Sequence, residues 1–263
     1  MVKAATGNGE TKTVGQHAII MKKIRVLLAD DHSIVRQGIR VMVEAEPDIS
    51  VIGEAGDGRQ AVQLTVKLKP DVAVLDLAMP LLNGLEATRQ IIKQDPSAKV
   101  LMLSSYGDNE YVHQVTKAGA TGYLLKQTVV DDLVKAIREV AKGNAYFSPT
   151  VCRRLVENYR DTEKPGGRPS KRRDTLTTRE AEVLQLIAEG QPNKQIASEL
   201  GISIKTVEKH RQQVMYKLDI HDIAGLTRYA ISRGIIESGV MQPLPPAGNP
   251  ENPNNSDVPQ SAA

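Results

Sequence analysis

The sequence contains a single cysteine, Cys152, among its 263 residues. One thiol excludes an internal disulfide framework and any zinc site built mainly from cysteines. No apolar run approaches the roughly 18 to 20 residues that a membrane-spanning helix requires. The segment from Met1 to Gly15 is polar and lacks an apolar stretch behind a basic head, so we expect no secretory signal. These absences predict a cytoplasmic protein with no membrane attachment.

A strong excess of one charge is also missing. The chain has 34 lysines and arginines against 31 aspartates and glutamates, for a formal net charge of +3. So mild an excess does not by itself indicate a polyanionic partner, and nucleic-acid binding has to be argued from motifs. The length is sufficient for two domains with separate cores.

Between Lys23 and Lys142, short apolar runs alternate with stretches that have helical periodicity. The runs cover residues 24–29, 49–55, 72–75, 100–103 and 122–125. Five such runs separated by amphipathic segments predict βαβ units and a parallel sheet. We therefore expect residues 23–142 to form a doubly wound α/β domain that ends with a helix over about 130–141.

The rest of the chain divides by composition. Residues 1–22 and 239–263 are polar, and we expect both to be disordered. The segment 143–174 is predicted to be a linker rich in proline, glycine and charge, with a short helix over 147–159. Residues 175–238 have the pattern of four helices joined by short turns.

Carboxylates follow two of the apolar runs. Asp30 and Asp31 follow the first run, and Asp76 follows the third. A carboxylate at the end of a buried strand is unfavourable unless it has a partner or a function. If the two strands are neighbours in a parallel sheet, the three carboxylates meet at the edge where open α/β sheets place their chemistry. Because like charges this close raise each other's pKa unless a cation lies among them, the cluster predicts a Mg²⁺ site with a reactive member.

Two other interpretations of these carboxylates are available. A lone aspartate after a strand is most often a helix N-cap, and Asp31 has the right position to cap a helix beginning near Ser33. Three carboxylates at neighbouring strand ends make that interpretation less favourable. A phosphatase of the haloacid-dehalogenase type needs a second acid two residues after its nucleophile, and Ala78 occupies that position after Asp76.

Further motifs follow in chain order. They are Leu75-Asp76-Leu77-Ala78-Met79-Pro80, Ser104 after the fourth run, and Tyr123-Leu124-Leu125-Lys126. Together with Asp30-Asp31 they resemble a response-regulator receiver domain. The resemblance implies the doubly wound 2-1-3-4-5 strand order. It also implies that Asp76 accepts a phosphoryl group from a phosphohistidine of a sensor kinase, since carboxylates are recognised nucleophiles.

The same resemblance assigns the other residues of the site. It implies that Mg²⁺ is held by three carboxylates and one main-chain carbonyl, those of Asp30, Asp31, Asp76 and Ala78. It implies that Ser104 and Lys126 bind the phosphoryl group. Tyr123 is expected to rotate inward when Ser104 moves, with simple packing as the alternative.

The C-terminal region has the signals of a helix-turn-helix. Thr177 and Glu180 have the spacing of a capping box. Asn193 and Ser203 are predicted to cap the next two helices. A short turn containing Gly201 joins those helices, as in the helix-turn-helix unit.

The helix after Ser203 has two distinct faces. Val207, Val214 and Leu218 share one side by helical spacing and are expected to pack inward. The other side is long and rich in hydrogen-bonding groups, which suits a major groove. It contains Lys205, Glu208, Lys209, Gln212 and Tyr216. The pattern alone fits an ordinary solvated helix face equally well.

Motifs decide between these interpretations. Leu176-Thr177-x-Arg179-Glu180, Asn193-Lys194-Gln195-Ile196-Ala197 and Thr206-Val207-x-x-His210 resemble a LuxR-type DNA-binding domain over about 174–238. With the receiver, the chain resembles the NarL/FixJ class of transcriptional regulators. The resemblance implies base reading by Glu208, Lys209 and Gln212, and phosphate contacts by Lys194, Lys205, Thr206, Arg211 and Lys217. Glu208 is unusual there, because a carboxylate near DNA costs affinity unless it accepts a bond, for example from cytosine N4.

The resemblance also implies partners: a sensor histidine kinase, double-stranded promoter DNA, a second copy of the chain and RNA polymerase. It implies no enzymatic activity except self-phosphorylation and autodephosphorylation at Asp76. We expect the dimer contact on the last helix, around Ile223, Leu226 and Ala230.

We expect phosphorylation to regulate DNA binding by shifting an equilibrium. In the unphosphorylated state the receiver should either pack against the recognition helix or keep two DNA-binding domains apart. The alternatives are a receiver that acts by protein contact and a DNA binder that does not depend on phosphorylation.

Overall fold

The computed structural model describes residues 22–105, 109–149, 151–153 and 176–236. The whole predicted tail, most of the predicted linker with its short helix, and nearly all of the N-terminal extension lie outside these residues. The strands are β1 (Ile24–Ala29), β2 (Ile49–Ala55), β3 (Val72–Asp76), β4 (Val100–Ser104), β5 (Gly122–Leu125) and β6 (Tyr146–Phe147). The helices between them are α1 (Ser33–Glu44), α2 (Gly58–Leu68), α3 (Gly84–Gln94), α4 (Asn109–Lys117) and α5 (Val129–Lys142).

The strands form one parallel sheet in the order β2-β1-β3-β4-β5-β6. Helices cover both faces, so all five residues of β3 are buried. Ala73 and Leu75 belong to the core on one face of the sheet. Val72 and Val74 belong to the core on the other face. The predicted doubly wound fold is confirmed, and the first five strands lie where the apolar runs predicted them.

The prediction of five strands is wrong by one. β6 pairs in parallel with β5, beyond the predicted end of the domain at residue 142. Phe147 packs on one core and Tyr146 on the other. Tyr146 also donates a hydrogen bond from its hydroxyl to Asp132 Oδ1 at 3.0 Å. A two-residue strand is too short to produce an alternating pattern, which explains why the sequence did not reveal it.

The described part of the C-terminal region, residues 176–236, contains four helices, as predicted. They are α6 (Thr178–Ala188), α7 (Asn193–Leu200), α8 (Ile204–Leu218) and α9 (Ile223–Ser232). Their apolar faces form a separate core that includes Leu184, Ile196, Val207 and Val214. No helix among the described residues is both long and apolar enough to cross a bilayer.

The caps of these helices follow the predictions with one exception. The capping box of Thr177 and Glu180 is complete, and Ser203 accepts a hydrogen bond from the backbone nitrogen of Thr206. Asn193 does not cap α7, because the chain enters that helix through Pro192 and Asn193 is its first residue. Its side-chain oxygen instead accepts a hydrogen bond from Arg211 at 3.3 Å.

The dimer contact expected on α9 stays a prediction, but two of its three residues are not accessible to a second copy. Leu226 and Ala230 are fully buried in the core of their own domain. Ile223 is 51% exposed and is the one member of the three that a second copy can reach. The apolar spacing of α9 therefore reflects packing within the domain.

Candidate functional site

The register of the sheet brings the predicted site residues together. Ala29 of β1 is paired with Leu75 of β3, so Asp30 and Asp76 follow on adjacent strands. Ser104 is paired with Leu125, and Lys126 comes next. These side chains lie at the carboxyl edge of the parallel strands, which is where open α/β sheets bind their ligands.

Lys126 links the two buried carboxylates. Its Nζ atom lies 2.9 Å from Asp30 Oδ2 and 2.8 Å from Asp76 Oδ2. Burial raises the pKa of Asp76 to about 7, and the negative charges of Asp30 and Asp31 add to the rise while Lys126 opposes it. Burial also acts to lower the pKa of Lys126, but its contacts with Asp76 and Asp30 outweigh that effect and the pKa is raised. The site therefore favours binding of a proton or a cation.

The donor set fits a divalent cation. Asp30, Asp31, His32 and Asp76 each offer one ligand atom, and these atoms all lie within 4.8 Å of one another. Three carboxylates face a single ammonium group, so a divalent ion would balance their charge. Oxygen-rich sites of this kind suit hard cations such as Mg²⁺. Ala78 lies two residues after Asp76 and is 5% exposed.

The other residues predicted for the site are Asp31, Ser104 and Tyr123, and each has a definite position in the fold. Asp31 does not cap α1, because the N-cap is His32 and no side chain caps that helix end. Ser104 is fully buried as the last residue of β4. Tyr123 is also fully buried and packs in the core on one face of the sheet. The ring already lies in the interior of the domain. In this structure Tyr123 therefore cannot begin the predicted inward rotation from an exposed position.

The loop between β3 and α3 is packed tightly against its surroundings. A Cβ atom at Gly84 would lie 2.1 Å from the carbonyl oxygen of Asp76. A Cβ atom at Gly58 would lie 1.7 Å from the carbonyl oxygen of Leu82. Leu81 has a φ of 65°, which is unfavourable for a leucine. The loop that follows Asp76 is thus fixed at both ends and strained in the middle.

Gln185 of α6 holds this loop from the second domain. Its side chain is fully buried. Its Oε1 atom accepts hydrogen bonds from the backbone nitrogen of Asn83 at 2.8 Å and from Asn83 Nδ2 at 3.1 Å. Its Nε2 atom donates to the carbonyl of Met79 at 2.8 Å. Leu81 packs on the core of the second domain and donates its backbone N–H to Glu189 Oε1 at 3.1 Å.

Charged and polar groups surround this contact. Arg59 Nη1 lies 3.1 Å from Glu199 Oε1 and donates a hydrogen bond to the Glu199 carbonyl. Gln90 Nε2 donates to Glu182 Oε1 at 2.8 Å. Burial raises the pKa of Glu86, and Glu182 adds to the rise while Arg89 opposes it. Burial likewise raises the pKa of Glu189. The two domains are therefore joined by buried hydrogen bonds and by carboxylates that have lost part of their solvation.

Among the described residues, the receiver packs against α6 and not against the recognition helix, which was one of the two expected arrangements. Its contacts reach α6 and the end of α7. On α8, the five residues of the predicted groove-facing side are all exposed: Lys205, Glu208, Lys209, Gln212 and Tyr216. Val207 and Val214 are buried on the opposite side, as predicted. The surface that would read DNA is uncovered while the domains are in contact.

The residues that are predicted to contact DNA phosphates differ in how exposed their side chains are. Lys194 is exposed, and Thr206 and Arg211 are partly exposed. Lys217 Nζ lies 2.6 Å from Glu180 Oε2, the acid of the capping box. Lys217 therefore stabilises the start of α6, and its phosphate contact stays a prediction.

Two residues of this region were not predicted. His32 lies beside the carboxylates, with Nδ1 2.9 Å from Asp31 Oδ1. Its place directly after Asp30-Asp31 was a signal available in the sequence. Gln185 carried no such signal, because one glutamine on an apolar helix stripe does not indicate which loop it will contact.

Comparison with known proteins agrees with this geometry. Residues 26–138 match the model of the response regulator receiver domain, and residues 174–230 match that of the bacterial regulatory proteins of the luxR family. The chain is 42% identical to the transcriptional regulatory protein LiaR of Bacillus subtilis over 207 residues, 79% of this chain and 96% of LiaR. This chain belongs to the NarL/FixJ class of response regulators.

Solved structures of this class extend the comparison. The RcsB response regulator of Salmonella typhimurium is 30% identical, with 81% of this chain and 98% of RcsB covered and a TM-score of 0.57. RcsB in complex with DNA is also 30% identical, with coverage of 80% and 99% and a TM-score of 0.50. The likeness to these response regulators spans both domains.

Proposed function

We propose that this response regulator is a transcriptional regulator whose binding to promoter DNA is controlled by phosphorylation of Asp76. The observation that carries the proposal is the arrangement of Asp76, Asp30 and Lys126 at the edge of the sheet. Asp76 is the nucleophile, and its attack on phosphohistidine forms an acyl phosphate as the bond from phosphorus to the histidine nitrogen breaks. A sensor histidine kinase is the proposed donor.

The neighbouring residues have separate roles in this reaction. Lys126 neutralises charge on the incoming phosphoryl group, and its contact with Asp76 already places the ammonium where that charge will develop. The Ser104 hydroxyl donates a hydrogen bond to the phosphoryl group. Asp30, Asp31, Asp76 and the Ala78 carbonyl would hold Mg²⁺, which supplies charge neutralisation for phosphoryl transfer when bound.

DNA recognition is assigned to the exposed face of α8. Glu208, Lys209 and Gln212 read base edges, while Lys194, Lys205, Thr206 and Arg211 contact phosphates. The RcsB–DNA complex supports this assignment, because RcsB is similar to this chain through both domains. We also propose that the protein binds DNA as a homodimer, that it contacts RNA polymerase and that it is located in the cytoplasm.

Communication between the domains follows from the loop after Asp76. Met79 and Asn83 are bound by Gln185, and Gly84 lies against the carbonyl of Asp76. A phosphoryl group or a cation at Asp76 displaces this loop, and the displacement reaches α6 directly. Because α8 is already uncovered, we propose that phosphorylation frees the second domain to pair with another copy. A differential preference of a few kcal/mol is enough for such a shift.

The test is a DNA-binding measurement on sites selected from random-sequence DNA. Acetyl phosphate with Mg²⁺ should increase the affinity of the wild-type protein and leave Asp76→Ala unchanged. Equal affinities for both proteins would refute control by phosphorylation and favour a phosphorylation-independent DNA binder. Failure of either protein to select any sequence would favour a receiver that acts by protein contact.

A further inference from the structure

Two stripes of polar side chains meet where the domains touch. Asn83 caps α3, and Glu86 and Gln90 follow on the same face of that helix by helical spacing. On α6, Glu182 and Gln185 share a face in the same way. Gln185 binds Asn83, and Gln90 Nε2 donates to Glu182 Oε1 at 2.8 Å. Glu86 lies between these two contacts, so the second domain covers it.

The carboxylate of Glu86 is buried in this contact with one of its oxygens unpaired. Its side chain is 2% exposed, and its Oε1 atom accepts a hydrogen bond from Arg89. Among the residues that the structure describes, Glu86 Oε2 has no hydrogen-bond partner. Burying a charged carboxylate costs far more free energy than burying the neutral acid. Protonation of Glu86 therefore lowers the cost of covering it.

The partners of Glu182 make Glu86 the member of the pair that takes the proton. Glu182 Oε1 accepts from Gln90, and its Oε2 atom accepts from Arg179 at 2.6 Å. The other charged groups on the helices that pack against α3 have partners of their own or are exposed. These groups are Arg59, Lys67, His113, Lys117, Glu180 and Glu189.

The environment of Glu86 couples its protonation to docking of the two domains. Burial raises the pKa of Glu86, and Glu182 adds to the rise, while Arg89 and Thr178 act to lower it. When the domains separate, water reaches Glu86 and Glu182 moves away, so its pKa falls towards the ordinary glutamate value of about 4.3. Docking therefore takes up a proton. The stabilisation is complete below the pKa of the separated state and is lost as the pH rises through the pKa of the docked state.

We propose that Glu86 and Glu182 make the contact between the domains pH-dependent, so that the receiver holds the DNA-binding domain more firmly as the pH falls. The two carboxylates come from different domains and repel each other across the contact. A proton on Glu86 removes that repulsion. Because a docked domain is not free to pair with another copy, acidification opposes the effect of phosphorylation. This last consequence rests on the proposed function, whereas the pH dependence of docking does not.

The experiment follows docking in unphosphorylated full-length protein in EDTA, by small-angle scattering from about pH 5 to about pH 8. Gln185→Ala is the background, because loss of its hydrogen bonds should weaken the contact until both states are populated. Its radius of gyration should rise with pH, since the docking constant falls by up to about tenfold per pH unit as Glu86 loses its proton.

Two added substitutions identify the group that titrates. Glu86→Gln in the same background keeps the side chain neutral and should hold the radius at its low-pH value throughout. Glu44→Gln is the matched control, because Glu44 is an exposed glutamate on α1, and it should leave the pH profile of Gln185→Ala unchanged.

A second measurement needs no weakened contact. Carbon-13 NMR of labelled glutamate in the otherwise wild-type protein should show a side-chain carboxyl that titrates above the ordinary range and that is missing in Glu86→Gln. In Glu182→Gln the midpoint of this titration should move to lower pH, because the neighbouring negative charge is gone.

Three results would overturn the proposal. Equal radii of Gln185→Ala at the two ends of the pH range would show that docking takes up no proton. An unchanged pH profile after adding Glu86→Gln would assign the effect to another carboxyl, such as Glu189. A Glu86 carboxyl that titrates in the ordinary range would show that docking does not perturb it. Each result leaves the proposed function intact, because the response of DNA binding to acetyl phosphate is measured separately at one pH.

Discussion

The side-chain oxygen of Gln185 accepts hydrogen bonds from both the backbone nitrogen and the side-chain amide of Asn83. Gln185 belongs to the DNA-binding domain, and Asn83 lies seven residues after the proposed phosphoacceptor Asp76. Both residues are buried. A direct route from the phosphorylation site to the second domain therefore passes through the side-chain amide of Gln185.

Replacing Gln185 with alanine should separate the two domains. The substitution leaves the Met79 carbonyl and the Asn83 N–H buried without their partner, at a cost of about 1 to 3 kcal/mol for each group in the docked state. We expect a larger radius of gyration by small-angle scattering and DNA binding that responds less to acetyl phosphate. Gln195→Ala, an exposed glutamine on α7, is the matched control. An unchanged radius would argue that the charged pairs alone hold the domains together.

The pKa of Asp76 predicts how stability depends on pH. Because its pKa is raised to about 7, the folded protein binds the proton more tightly than the unfolded chain does. Stability without metal should therefore fall as the pH rises from about 4 to about 7. Each pKa unit corresponds to about 1.4 kcal/mol, so the loss is on the order of a few kcal/mol.

Asp76→Asn removes this titration and should be more stable than the wild type in EDTA at about pH 8, but not at about pH 5. Urea denaturation at the two pH values measures the difference. Asp95→Asn serves as the control, because Asp95 is exposed and hydrogen bonds from Ser97 lower its pKa. Parallel pH profiles for wild type and Asp76→Asn would contradict the assignment of the buried titrating group.

Substitutions on the two sides of α8 should have different effects. A change on the exposed side should alter DNA binding, and a change on the buried side should alter the stability of the domain. Lys209→Ala should weaken binding to the selected DNA by about 1 to 3 kcal/mol if Lys209 reads a base. Val207→Ala should instead lower the free energy of unfolding of the second domain by about 2 kcal/mol, because Val207 is fully buried. Lys67→Ala, an exposed lysine on α2, should change neither quantity. Equal DNA affinities for Lys209→Ala and the wild type would remove Lys209 from the proposed interface.

Lys217 offers a test between a structural and a DNA-binding role. Burial acts to raise the pKa of Glu180, but hydrogen bonds from Lys217 and Thr177 outweigh it and the pKa is lowered. A lowered carboxyl pKa contributes stability above the unfolded pKa, and that stability is lost as the pH falls through the folded pKa. Lys217→Met should therefore weaken the domain at neutral pH and make its acid sensitivity smaller. A reduced salt dependence of DNA binding with unchanged stability would instead identify Lys217 as a phosphate contact.

The strands and the carboxylate site could be predicted because their signals are local. Each of the first five strands is an apolar run, and Asp76 comes at the end of one of them. The two-residue strand β6 has no periodicity, and Asn193 follows Pro192, which takes the cap position of α7. Contacts between the domains depend on chain segments about a hundred residues apart. No pattern around Gln185 specifies them.

The burial of Leu226 and Ala230 shows a second limit of the sequence. An apolar stripe indicates that a helix is covered on one side, but it does not say whether its own domain or another copy covers it. On α9 the core of its own domain covers the apolar side. Ile223 shares the spacing of Leu226 and Ala230, so the pattern could not show that it alone of the three is exposed.

Strand β6 also affects how this receiver can be isolated as a fragment. A chain that stops at Lys142 would leave β5 at the edge of the sheet, with a row of unpaired backbone groups beside Tyr123. Unpaired edges of this kind are templates for association with another chain. A receiver fragment that continues through Val151 keeps that edge covered, and we expect it to stay monomeric at concentrations where the shorter fragment aggregates.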